Sequence, residues 1–148
     1  MENNPSWILF ADDDEGDPLL FTEAFLELKI KTIVETVNDG EELMQWFNEK
    51  QKHFPHLLFL DLNMPRKSGL ECLKEIRSNE KLKNIPVAIC STSDNEKDVE
   101  ETFRNWANVY ITKPSAFNIL KQVLEKAVMA AYQYQQVGMK KENFLFKI

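Results

Sequence analysis

Five residues able to handle a phosphoryl group stand directly after short apolar runs. Asp12 and Asp13 follow residues 7–11, Asp61 follows 57–60, Ser91 follows 86–90 and Lys113 follows 109–112. Carboxylates ligate hard cations or attack phosphorus, an ammonium neutralises phosphate oxygens, and a hydroxyl donates to them. Three carboxylates in one place repel: two unit charges about 4 Å apart cost about 4 kcal/mol at an effective dielectric near 20. Something positive must offset this, and Mg2+ suits a site of one or two carboxylates, waters and a phosphate oxygen. Lys113 supplies a second positive charge. Asp61 is the candidate nucleophile, followed by a segment, residues 62–69, whose backbone can offer groups to metal and phosphate.

These residues work together only if the runs before them are neighbouring strands. Continuous apolar runs bounded by polar residues suit strands covered on both faces, as in a parallel sheet. Helix-period segments alternate with them, at 18–28 with Leu19, Leu20, Phe21, Ala24, Phe25 and Leu28 near helical spacing, and at 41–52 with Leu43, Met44, Trp46 and Phe47 inward. A strand is expected over 32–37. Ser68 with Glu71 and Ser93 with Glu96 match the capping-box pattern and are expected to open the third and fourth helices. The last helix starts near Ser115 and carries Phe117, Leu120, Val123, Leu124, Ala127, Val128 and Ala131 on one stripe, ending near Gly138. The pattern predicts a flavodoxin-like α/β fold: five parallel strands in the order 2-1-3-4-5, helices on both faces. In such sheets ligands bind beyond the carboxyl ends of the strands, where the five residues converge.

The 148 residues suit one domain, and the net charge of -6 argues against nucleic-acid binding, which needs a basic surface. No run approaches a membrane span and the N-terminus lacks a signal peptide's regions, so a cytoplasmic protein is expected. Cys72 and Cys90 read as buried free thiols and His53 and His56 as loop residues. Trp46, Phe47 and Phe54 read as packing.

Asp12-Asp13, Asp61-Leu62-Asn63-Met64-Pro65 with Gly69, Pro86 leading to Ser91, and Lys113-Pro114, in this order, resemble a receiver domain of the two-component response regulators, the CheY-like family. The resemblance runs from about residue 8 to 130. It implies that Asp61 takes a phosphoryl group from a phosphohistidine on a sensor histidine kinase or phosphotransfer protein. It also implies that Asp13, Asp61 and the backbone carbonyl of Asn63 hold Mg2+, with Asp12 acting through water. Lys113 would pair with Asp61 and then with the phosphate, across a Lys113–Pro114 peptide typically cis in the family. Ser91 would turn toward the phosphate, Thr92 would lie near it, and Tyr110 would swing from exposed to buried. The face of helix 4, strand 5 and helix 5 would meet an unknown downstream protein or a second copy of the chain.

Two positions depart from the family's habit. Thr92 is bulkier than the Ala or Gly often found there and is expected to restrict small phosphodonors; Trp106 stands where Gly is common. Asp14 and Glu15 read as solvated charges. The rival enzyme, a haloacid dehalogenase-type phosphohydrolase, places an Asp two residues after its nucleophile as general acid, and Asn63 there cannot serve. A switch with self-catalysed phosphotransfer and autodephosphorylation is expected rather than a turnover enzyme; the other rival is a receiver-shaped protein that ignores phosphate. A receiver at 6–133 is expected, with 134–148 as an extension and no output domain. Phe144, Leu145, Phe146 and Ile148 are expected to pack on the body or on a second molecule.

Overall fold

A computed structural model describes residues 5–14, 16–49, 54–113, 116–137 and 145–146. Strands and helices alternate: β1 (Ser6–Ala11), α1 (Gly16–Glu27), β2 (Thr32–Val37), α2 (Gly40–Glu49), β3 (Leu57–Asp61), α3 (Gly69–Ser78), β4 (Val87–Ser91), α4 (Glu96–Arg104), β5 (Val109–Thr112), α5 (Phe117–Val137) and β6 (Leu145–Phe146). The sheet is parallel throughout, in the order β2-β1-β3-β4-β5-β6. The predicted order 2-1-3-4-5 is therefore present, extended by a short strand at the β5 edge.

Burial on two faces explains the unbroken apolar runs. Ile8, Phe10, Leu57, Phe59, Ala88, Cys90, Val109 and Ile111 face α1 and α5, packing on Phe21, Ala24, Phe25, Leu120, Leu124 and Ala127. Their neighbours Leu9, Ala11, Leu58, Leu60, Val87, Ile89 and Tyr110 face the other way, onto Leu43, Phe47, Cys72, Leu73, Ile76 and Val99 of α2, α3 and α4. Successive strand residues point to opposite faces, so a strand sandwiched between helices has no polar side to display. On one face Phe10 stacks on Phe59 at 4.8 Å while Phe21 meets both edge-on.

Local details correct the sequence reading in places. Leu19 and Leu20, though near helical spacing, are exposed, and Pro18, Phe21, Ala24 and Phe25 form the buried stripe of α1. The helix starts two residues earlier than expected, at Gly16, and its phase follows the phenylalanines that reach the sheet. The capping box at Ser68 and Glu71 is present. The one expected at Ser93 is not: Asn95 caps α4, accepting from the N–H groups of Lys97 and Asp98, while the Ser93 hydroxyl accepts from Asn95 N–H. Asn is as good a cap as Ser, and it sits directly before the helix. Trp106 has a φ of 68°, a left-handed conformation that glycine adopts without steric cost.

Leu145 and Phe146 of the tail pair with Tyr110 and Ile111 of β5. Phe144, Ile148, Gly138, His53 and the end of the expected second helix lie outside the described residues. Among the described residues no helix is long and apolar enough to cross a membrane.

Candidate functional site

Strands β1, β3, β4 and β5 are adjacent, so their carboxyl ends bring Asp12, Asp13, Asp61, Ser91 and Lys113 to one crevice. Carboxylate oxygens of Asp12, Asp13 and Asp61 lie within 4.8 Å of one another. Asp12 and Asp61 are buried and Asp13 is exposed. Burial pushes the Asp61 carboxyl up to about 6; Lys113 and the Asn63 N–H oppose the shift, and the charges of Asp12 and Asp13 add to it. Burial also raises Asp12, against the Asp14 N–H and Lys113. An all-oxygen donor set whose charge is costly in this setting fits a hard divalent cation.

The Lys113 ammonium lies 2.8 Å from Asp17, 3.1 Å from Asp12 and 3.8 Å from Asp61. Burial disfavours its charge, but the hydrogen bond with Asp17 and the charges of Asp61 and Asp12 outweigh that and hold its pKa above the ordinary value. The expected pairing with Asp61 is thus the longest of three. Asp17, in the first turn of α1, was not singled out from the sequence. An acid there is a common helix-start residue, and nothing in the spacing marks it as reaching the end of β5.

Ser91 is wholly buried, its hydroxyl accepting from the Ser93 N–H at 3.1 Å, and its carbonyl accepts from the Lys113 N–H at 2.8 Å. Thr92 and Asn63 are exposed at the rim, and Asn63 N–H donates to Asp61 Oδ1 at 3.3 Å. Tyr110 is fully buried, its hydroxyl donating to the Ser93 carbonyl at 2.6 Å. The exposed resting position expected for this ring is not the one seen. The ring belongs to the core on the α2–α3–α4 side, and the Ser93 carbonyl satisfies its hydroxyl there. Asp14 is exposed, as expected of a solvated charge, and its carboxylate accepts from Gly16 N–H. Glu15 and Pro114, with the peptide joining Pro114 to Lys113, lie outside the described residues.

Cys72 and Cys90 are free and buried, burial pushing the Cys72 thiol up to about 12 and Cys90 well up too, which leaves neither a reactive thiolate. His56 accepts from the Trp7 N–H through Nδ1. Phe47 meets Trp46 and Phe54 edge-on, consistent with packing.

Residues 8–125 match the response regulator receiver domain. The chain belongs to this family. Response regulator Rcp1 of Synechocystis sp. is 36% identical over 115 residues, 75% of this chain and 78% of that one. A probable methanogenesis regulatory protein of Methanothrix harundinacea, FilR2, is 29% identical, covering 83% of this chain and 81% of the relative. The phosphorylated cyanobacterial phytochrome response regulator RcpA superposes with a TM-score of 0.75 at 34% identity, over 89% of this chain and 94% of that one. The Mn2+-bound form of Rcp1 gives 0.74 at 30% identity, over 92% and 99%. This receiver domain is therefore a component of two-component signalling, a class that is generally non-enzymatic and interacts with histidine kinases and downstream targets. Receiver domains bind Mg2+ or Mn2+ at an acidic pocket, and Asp12, Asp13 and Asp61 form such a group here.

Proposed function

We propose that the chain is a cytoplasmic phosphoacceptor switch in which Asp61 takes a phosphoryl group from a phosphohistidine of a sensor histidine kinase or phosphotransfer protein. The observation that carries this reading is the convergence of Asp12, Asp13 and Asp61 within 4.8 Å beside the Lys113 ammonium. An Asp61 oxygen forms a bond to phosphorus as the P–N bond breaks. The electron pair returns to the donor imidazole, which takes up a proton and leaves neutral.

Asp13, Asp61 and the backbone carbonyl of Asn63 are the residues that would hold Mg2+, with Asp12 acting through water; when bound, the cation neutralises charge on the transferring oxygens. Lys113 does the same from the carboxyl end of β5. Ser91 supplies the hydroxyl that senses the phosphate, and Thr92 at the rim limits access to it. Tyr110, bonded to the Ser93 carbonyl beside Ser91, couples the hydroxyl's position to the α4–β5–α5 face. A switch of this kind biases two existing conformations, and a downstream protein or a second copy of the chain reads the difference. Residues 6–133 form the receiver, and 134–148 extend it.

Asn63 argues against a phosphohydrolase, since an amide cannot protonate a leaving group. Mass spectrometry after incubation with a phosphorylated kinase and Mg2+ tests the reading. A mass increase of one phosphoryl group is expected, abolished by Asp61→Asn; an unmodified wild type, or an unchanged adduct in the variant, would refute it.

A further inference from the structure

We propose that Asp17 is a positioning residue that holds the Lys113 ammonium off Asp61 until a phosphoryl group draws it across. This rests on reading Asp61 as the acceptor. The ammonium has three donors and faces three carboxylates. Asp17 at 2.8 Å and Asp12 at 3.1 Å are within hydrogen-bond length, and Asp61 at 3.8 Å is not. At equal dielectric the attraction to Asp17 is about a third stronger than that to Asp61.

The two anchors differ in kind. Asp12 belongs to the acidic group, whereas Asp17 stands apart from it, on the first turn of α1, and reaches across the mouth of the crevice to the end of β5. Lys113 is mostly shielded from solvent and Asp17 is a quarter exposed, so the pair is only partly screened. Asp17 therefore leaves Asp61 as the carboxylate least engaged by the lysine, with its Oδ2 beyond hydrogen-bond reach of the ammonium. Once Asp61 carries a phosphoryl group, the single charge of its carboxylate is replaced by a phosphate bearing about 1.5 to 2 negative charges, which competes for the same ammonium. The lysine can serve that group fully only by loosening its hold on Asp17. The Asp17–Lys113 pair is then an interaction of the resting state that phosphorylation must break, and its strength sets the balance between the two forms.

The bland alternative is that Asp17 merely complements the N-terminal end of α1, as acids in a first turn do. That role would not pass through Lys113. In metal-free protein, proton–nitrogen NMR of the lysine ammonium groups is expected to show a slowly exchanging Lys113 signal that is lost in Asp17→Asn and regained in Asp17→Glu. Apparent affinity for beryllofluoride with Mg2+, followed by fluorine NMR, is expected to tighten about fivefold in Asp17→Asn, the scale of one partly exposed ion pair. Asp14→Asn, which removes a nearby exposed charge, is expected to change it less than twofold. In a Lys113→Ala background Asp17→Asn is expected to do nothing.

Equal shifts from Asp17→Asn and Asp14→Asn, or an Asp17→Asn effect that survives in Lys113→Ala, would overturn the positioning role and leave only a field effect. A wild type that binds beryllofluoride no more weakly than Asp17→Asn overturns it too, with the acceptor reading intact. A wild type that binds none overturns the acceptor reading and this inference together.

Discussion

Gly69 presses its bare α-carbon against the backbone of Asp61: a β-carbon on Gly69 would come within 2.2 Å of the Asp61 carbonyl oxygen. The same glycine donates its N–H to the Leu62 carbonyl at 2.9 Å and opens α3. Neither partner is a flexible side-chain tip, so the backbone itself must move to admit a methyl group. Gly69→Ala is expected to cost about 1–3 kcal/mol, the range for overpacking a close contact, and to displace Asp61 relative to Asp12 and Asp13. Urea unfolding and the rate of phosphoryl transfer check this; unchanged values for both would show that the loop yields freely.

The charge on Asp61 opposes folding in the absence of metal. Its folded pKa, about 6, exceeds the ordinary 3.8, so the folded state binds its proton more tightly than the unfolded chain. That contribution is present in full below about pH 3.8 and is lost as pH rises through 6, leaving a penalty at pH 8 on the order of 2–3 kcal/mol. Asp61→Asn is therefore expected to melt higher than wild type in EDTA at pH 8, with a smaller gap at pH 5. Adding Mg2+ to wild type should also narrow the gap. A difference in melting temperature that stays constant from pH 5 to 8 would contradict this account.

How much of this was readable before the structure depends on where each signal resides. The runs ending at Asp12, Asp61, Ser91 and Lys113 state their own burial, because strands covered on both faces have no polar side, and adjacency then follows from the site's membership. Asp17 was unreadable because its partner comes from β5, nearly a hundred residues away, while its local setting explains it as a helix start. The same holds for β6: two residues have no periodicity, and only the edge of β5 makes Leu145 and Phe146 a strand. In α1 the spacing alone does not separate Leu19 and Leu20, which are exposed, from Phe21 and Phe25, which the sheet buries.

Glu35 joins β1, β2 and α2 through a single carboxylate. Trp7 donates its indole N–H to Oε2 at 2.7 Å and Trp46 donates to Oε1 at 3.4 Å, and the two rings meet edge to face at 5.6 Å. Removing the carboxylate leaves two partly buried donors without this partner. Glu35→Ala is expected to cost about 1–3 kcal/mol and to change tryptophan emission. Glu35→Gln should fall between, because its amide oxygen still accepts while its NH2 faces the second indole. Denaturation followed by fluorescence gives the order; a Gln variant no better than Ala would mean that the carboxylate's charge, rather than its acceptor atoms, holds the two indoles.

The tail shields a strand edge at the residue argued to report on phosphate. Leu145 pairs with Tyr110 and Phe146 with Ile111, so β6 caps β5 over the proposed switch aromatic and its neighbour. An uncovered β5 would offer free backbone donors and acceptors to another chain. A two-residue ladder contributes one or two net hydrogen bonds, so deleting residues 143–148 is expected to lower stability by about 1–2 kcal/mol. It is also expected to raise the apparent mass in light scattering as the bare edge finds a partner. Tyr110→Phe keeps the ladder but loses the bond to Ser93, so it should leave the mass unchanged while also destabilising, by about 1 kcal/mol. If the truncated chain matches the full one in both stability and mass, the β5 edge needs no cover and β6 has no structural role.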